Sequence, residues 1–235
     1  ADDTAPYVSG MNINEVISSL ENCANLLFEW FENNSMKANS DKSHILCSTE
    51  NTLQANINND IICTSKSEKL LGVTIDCNLN FEEHVKNLCN KASHKVSALA
   101  RISSYMSFKQ RRRIMKAFIT SQFGYCPLIW MFCSRKLNNR INRIHERALR
   151  IVYNDNFSSF NELLDKDSSV TIHHKNLQAL CIEIYKVRKK ISSETLNNIF
   201  KINEQPYNFR RKTIFESRNI RTEHYGIESF HLFIL

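Results

Sequence analysis

Apolar residues along the 235-residue chain change their spacing near residue 80. Before that point short alternating runs follow one long helical stripe; after it the three- and four-residue steps of helices dominate. Residues 1–9 read as the tail of a turn and a short strand. Asn12 or Asn14 then caps a predicted helix running to about Asn34, on the stripe Ile13, Val16, Leu20, Leu27 and Phe31, with Cys23 and Ala24 bridging its gap. A polar turn over Asn39–Lys42 leads to a strand at His44–Ser48. A hairpin turn is expected at Asn58–Asn59–Asp60, with strands at Ile61–Thr64 and Lys69–Asp76. Gly72, inside the last of these, marks a bend or a close approach of backbone.

Beyond Asn80, a plausible N-cap, Phe81, Val85, Leu88, Ala92, Val96, Leu99 and Ile102 form a helical stripe, with Glu82 and Glu83 well placed in its first turn. Ser107 is expected to cap a second helix to about Phe123, before Gly124 and Pro127 interrupt an apolar stretch ending at Phe132. Ser134 caps a third helix to Tyr153. Shorter helical patterns follow at Phe160–Leu164, Thr171–Ile191 and Glu194–Phe200, and the chain from Pro206 is weakly patterned, without an internal repeat.

Composition narrows the class. Four glycines stand where average usage gives roughly sixteen. Folds built on glycine-rich phosphate turns are therefore disfavoured. No apolar run is long enough to span a bilayer, and no signal peptide is apparent. Eight cysteines at irregular spacing, with no C-x-x-C, predict buried free thiols in a reducing compartment. His84, Cys89 and His94 do not converge on one helix face, and His173–His174 lack cysteine partners at zinc spacing, so zinc is not expected. Ala1 as first residue and the apolar Phe230–Leu235 close lead us to expect a fragment.

Charge changes the picture most. The formal +7 divides into −9 over residues 1–85, +14 over 86–150 and +2 over 151–235. Fifteen Lys and Arg against Glu146 alone in the middle block repel one another, which points to a polyanionic partner. The third helix of that block orders its cations. Leu137, Ile141, Ile144, Ala148 and Ile151 form one stripe, and Lys136, Arg140, Arg143, Arg147 and Arg150 form a second, shifted by one residue. Five cations over roughly 21 Å suit a phosphate backbone; a solvated polar face is the alternative. Arg111–Arg112–Arg113 spread around their helix and, with Lys91 and Lys95, add to the same field.

A second constellation is Ala1–Asp2–Asp3–Thr4. Adjacent carboxylates in a turn are either simply solvated or ligands for a divalent ion, since Mg²⁺ takes one or two carboxylates plus substrate phosphates. Together with Phe28–Lys37, Asn39–Lys42, Lys69–Asp76, Ala117–Trp130 and Leu137–Arg150, in that order, this start resembles the reverse transcriptase of non-LTR (LINE-type, jockey-like) retrotransposons.

The resemblance implies an α+β piece of that enzyme, an RNA-directed DNA polymerase. Residues 1–79 would be a partial palm, an antiparallel sheet with a packed helix and the primer-grip region. Residues 80–153 would be a basic, helical, thumb-like module, and 154–235 a helical C-terminal extension. It implies Asp2 and Asp3 as metal ligands of the polymerase centre, for Mg²⁺ or Mn²⁺ in the complete enzyme. It further implies Lys42 as proton donor to the leaving pyrophosphate, and Leu71, Gly72 and Val73 as primer grip. Gly72 could equally be a plain bend. Expected partners are an RNA template, a DNA primer and a missing fingers and palm region that carries a third carboxylate, in nucleus or cytoplasm and with no membrane. On that ground the chain alone is expected to lack polymerase activity. A non-catalytic nucleic-acid-binding protein derived from a retrotransposon remnant is the alternative, and an inert product a third.

Overall fold

The computed structural model describes residues 4–37, 39, 43–48, 53–58, 60–194 and 196. The fold is α+β, as the sequence predicts, and the chain divides into two compact units, residues 1–83 and 84–235. The turn expected at Asp2–Asp3, the polar turn around Lys42 and the pattern beyond 196 lie outside the described residues.

In the first unit, residues 4–10 are irregular and form no strand, so the strand expected over residues 1–9 is not made there. Helix α1 (Ile13–Asn33) starts where Asn12 Oδ1 accepts from the Asn14 amide at 3.1 Å. Strands β1 (Ile45–Leu46), β2 (Gln54–Ile57) and β3 (Asp60–Ser65) lie in the order β1-β3-β2. The hairpin β2–β3 is antiparallel, whereas two-residue β1 runs parallel to β3. Ala24 of α1 is buried with Ala55 and Ile57 of β2, and Ile17, Phe28, Ile45 and Ile62 pack around them. Small residues at the centre let the helix approach the sheet closely. Polar side chains of α1 seal the open edge of β2: Glu21 accepts from the Asn56 amide at 2.7 Å and Asn25 from that of Asn58 at 2.9 Å.

The strand expected over Lys69–Asp76 is instead a hairpin, β4 (Ser67–Leu70) and β5 (Val73–Asp76). Leu71 (φ 48°) and Gly72 (φ 86°) form its two-residue turn, and positive φ at both central positions is what a tight right-twisted hairpin demands. After β5 the Asp76 carboxylate accepts amides of Asn78, Asn80 and Phe81, at 3.1, 3.2 and 2.7 Å. Phe81 therefore sits at φ 54°, ahead of the helix rather than in its stripe. Asn80 Oδ1 accepts from the Glu82 amide at 2.9 Å, and helix α2 runs Glu82–Ile102.

The second unit is helical. After α2 and a 3₁₀ turn at Ser103–Tyr105 comes α3 (Phe108–Ile114), with Ser107 and Gln110 forming a capping box. The long helix expected to Phe123 stops here: Met115–Ile119 widen to a π turn and Thr120–Gly124 tighten to 3₁₀. Thr120 and Ser121 hydroxyls donate to the carbonyls of Lys116 and Ala117, four residues back, which loosens the regular ladder. Then follow α4 (Pro127–Trp130), α5 (Arg135–Tyr153), α6 (Phe160–Asp167) and α7 (Ile172–Arg188). Their core joins Val85, Cys89, Val96 and Leu99 of α2 with Phe123, Trp130, Ile141, Leu149, Val152, Leu163 and Leu180. Helices α6 and α7 both pack on α5.

None of the eight cysteines is in a disulfide, but only Cys89 is buried; Cys63 and Cys181 are exposed and the rest are half-buried. Their apolar sequence neighbours did not report which face each would take. Burial pushes the Cys89 thiol above its ordinary pKa, with Arg140 opposing, so it stays protonated. No helix among the described residues is long and apolar enough to cross a membrane.

Candidate nucleic-acid interface

Helix α5 carries the predicted stripes with a rotation. Leu137, Ile141, Ile144 and Ala148 are buried, and so are His145, Leu149 and Val152, while Ile151 is only half-buried. The core face is thus wider than a simple heptad-like seam. Lys136, Arg140, Arg143 and Arg147 stand exposed beside it, over about 17 Å of helix. Among the described residues none of these four pairs with a carboxylate. Arg150 differs: half-buried, it donates to Glu146 one turn back at 2.7 Å, so the one acid of the basic block is spent on the end of the row.

Helix α2 runs beside this row. Asn90 Oδ1 accepts from Arg140 Nη2 at 2.6 Å, which fixes one guanidinium. Arg140, Arg143 and Arg147 then line an open depression of about 190 Å³, completed by Ser93, Val96 and Ile144. Asn90 and Ser93 share one flank of α2, and helical geometry puts Lys91 and Lys95 on its other flank. Lys91 is exposed and Lys95 half-buried. The structure therefore does not add them to the arginine row. Lys91 instead acts on buried His84, whose basicity is lowered by burial first and by that ammonium second.

The arginine triplet of α3 also divides. Arg112 Nε lies 2.5 Å from Asp167 Oδ1 and its Nη2 donates to the Asp167 carbonyl at 2.8 Å. Tyr153 donates to the same carboxylate at 3.1 Å, and Lys116 stands 3.9 Å away. Asp167 is buried; burial raises its pKa, but the Arg112 hydrogen bond and the Lys116 and Arg112 charges prevail and hold it below the usual range. Arg112 thus ties α3 to α6. Arg111 is half-buried with Nη1 3.4 Å from the Ser103 carbonyl, and Arg113 is the exposed member.

Of the expected primer grip, Leu71 and Gly72 occupy the exposed tip of the β4–β5 turn, while Val73 is buried below it. Asp2, Asp3 and Lys42 lie outside the described residues. Among the described residues no three His, Cys, Asp or Glu side chains gather as a metal site. The Asp167 network and the Ser93 wall of the depression were missed in the sequence; each depends on residues about fifty positions apart, and no local spacing signals them.

Over 160 residues the chain is 26% identical to the probable RNA-directed DNA polymerase from transposon BS of Drosophila melanogaster. It is related to a transposon RNA-directed DNA polymerase. The match covers 65% of this chain and 18% of the fly protein, so the chain spans about a fifth of the relative it matches. No family model and no solved structure matches.

Proposed function

We infer that the chain is a piece of a non-LTR, jockey-like retrotransposon reverse transcriptase whose α5 row grips the RNA template–DNA primer duplex. The observation that carries this is the exposed row Lys136, Arg140, Arg143 and Arg147, without carboxylate partners among the described residues and anchored by a buried face on the same helix. In this reading residues 1–79 supply palm and primer grip, 80–153 a thumb-like module and 154–235 a C-terminal extension. The exposed Leu71–Gly72 tip meets the primer end, and Arg113 adds to the field around the duplex. Asp2 and Asp3 have the hard oxygen donors that Mg²⁺ or Mn²⁺ takes, and Lys42 would protonate the leaving pyrophosphate. The ions would stabilise charge on the transferred phosphate.

The test is the salt dependence of duplex binding. Changing Arg140, Arg143 and Arg147 together to Gln lowers the slope of log K against log salt by about three if each neutralises one phosphate. An unchanged slope removes the row from the interface. Because Asp2 and Asp3 are adjacent in sequence, and two-metal catalysis uses carboxylates from more than one strand, the chain alone is proposed to lack polymerase activity. Primer extension on an RNA template with Mg²⁺ or Mn²⁺ checks this, with Asp2→Asn plus Asp3→Asn as control. Duplex binding without extension is also what a non-catalytic remnant would show, since the row does not depend on the aspartates.

A further inference from the structure

The depression between α2 and α5 is built unlike the rest of the basic surface. Arg140, Arg143 and Arg147 wall it, Ser93 offers a hydroxyl, and Ile144, backed by the fully buried Val96, forms its apolar floor. A phosphate seated there would set some oxygens against Ile144 and leave them without donors, which is costly. A nucleobase has the complementary character: apolar faces for the floor and the guanidinium planes, and a polar edge for Ser93 and the arginine N–H groups. Size agrees, since 190 Å³ exceeds the cavity of about 150 Å³ that takes a benzene ring. Arg140, oriented by Asn90 at 2.6 Å, is a preformed wall, while Arg143 and Arg147 have no carboxylate partner among the described residues and can close over a ring.

We propose that this depression seats one unpaired nucleobase, stacked against guanidinium and apolar floor, while Lys136, the member of the row outside the depression, holds a neighbouring phosphate. This rests on the nucleic-acid reading above and sharpens it: the surface prefers a duplex carrying an extrahelical nucleotide to a perfectly paired one.

The experiment compares three RNA/DNA hybrids by fluorescence anisotropy with the full 235-residue chain. One is fully paired, one has a single bulged adenosine in the RNA strand, and one has an abasic nucleotide at the same bulge. The adenosine bulge binds about tenfold tighter than the paired hybrid, and the abasic bulge returns to the paired value. Ser93→Leu, which fills the depression without changing charge, erases the difference between the adenosine-bulged and the paired hybrid. An abasic bulge that binds as tightly as the adenosine bulge overturns the proposal, because backbone flexibility and not the base would be recognised. Equal binding of all three hybrids with a normal salt slope overturns the proposal alone. Absence of salt-dependent binding to any hybrid overturns the underlying reading as well. The abasic comparison needs no variant, so it stands even if Ser93→Leu fails to fold.

Discussion

Replacing His145 by leucine tests how the helical unit tolerates acid. His145 lies on the buried face of α5, 1% exposed, with its ring edge-on to Phe160 at 5.7 Å between centroids. Neither ring nitrogen has a hydrogen-bond partner among the described residues. Burial lowers its pKa to about 4, with Lys175 of α7 acting in the same direction and Asp167 of α6 opposing. The unfolded chain takes up this proton from about pH 6.5 downward and the folded chain only near pH 4. The unfolded state therefore binds more protons in that window. Stability is full above it and falls as pH drops from 6.5 towards 4. Between pH 7.5 and 4.5 the loss from this one group amounts to about 2.5 kcal/mol.

His145→Leu removes the titration and two unpaired nitrogens, at the expense of a modest change in shape. Urea unfolding followed through Trp130 fluorescence reads the right unit, because Trp130 is 2% exposed there whereas Trp30, in the other unit, is 53% exposed. The variant is expected to equal or exceed the wild type at pH 7.5 and to exceed it by about 2.5 kcal/mol more at pH 4.5. His84, also buried and shifted down, titrates in both proteins and cancels. Parallel stability profiles from pH 7.5 to 4.5 would refute the reasoning.

Asp167→Ala leaves Arg112 and the Tyr153 hydroxyl without their carboxylate and should cost about 3 kcal/mol, the low end for a broken buried pair because the Arg112 side chain is 37% exposed. The same Trp130 unfolding assay decides it, and a loss under about 1 kcal/mol would show that solvent replaces the contact. Leu71→Asn places an asparagine where leucine holds φ 48°, completing an Asn-Gly turn, and should stabilise the β4–β5 hairpin by about 1 kcal/mol. Amide exchange of Glu68 and Ile75, a hydrogen-bonded pair across that hairpin, should slow about fivefold; faster exchange would mean Leu71 stabilises the tip in another way.

Helix positions and charge were legible in the sequence because both are local. A 3.6-residue period shows in any window of a few turns, and Asn12, Ser134 and Thr171 stand at their helix starts because capping involves residues two or three apart. The segregation of cations into residues 86–150, and their alignment along α5, required no tertiary information. What each cation does required it. Arg112 and Arg143 are the same side chain on helices of the same block, yet one is bound to a carboxylate 55 residues away and the other faces an open depression. That depression owes Ser93 and Val96 to a helix whose contact with α5 joins residues 50 positions apart. The Leu71–Gly72 turn likewise hid inside an apolar run, since a hairpin and a single bent strand share one alternation until the cross-strand partners, such as Ser67 and Asp76, are known. Periodicity records which side of an element is apolar; pairing between distant elements depends on their packing, and only the folded chain decides that.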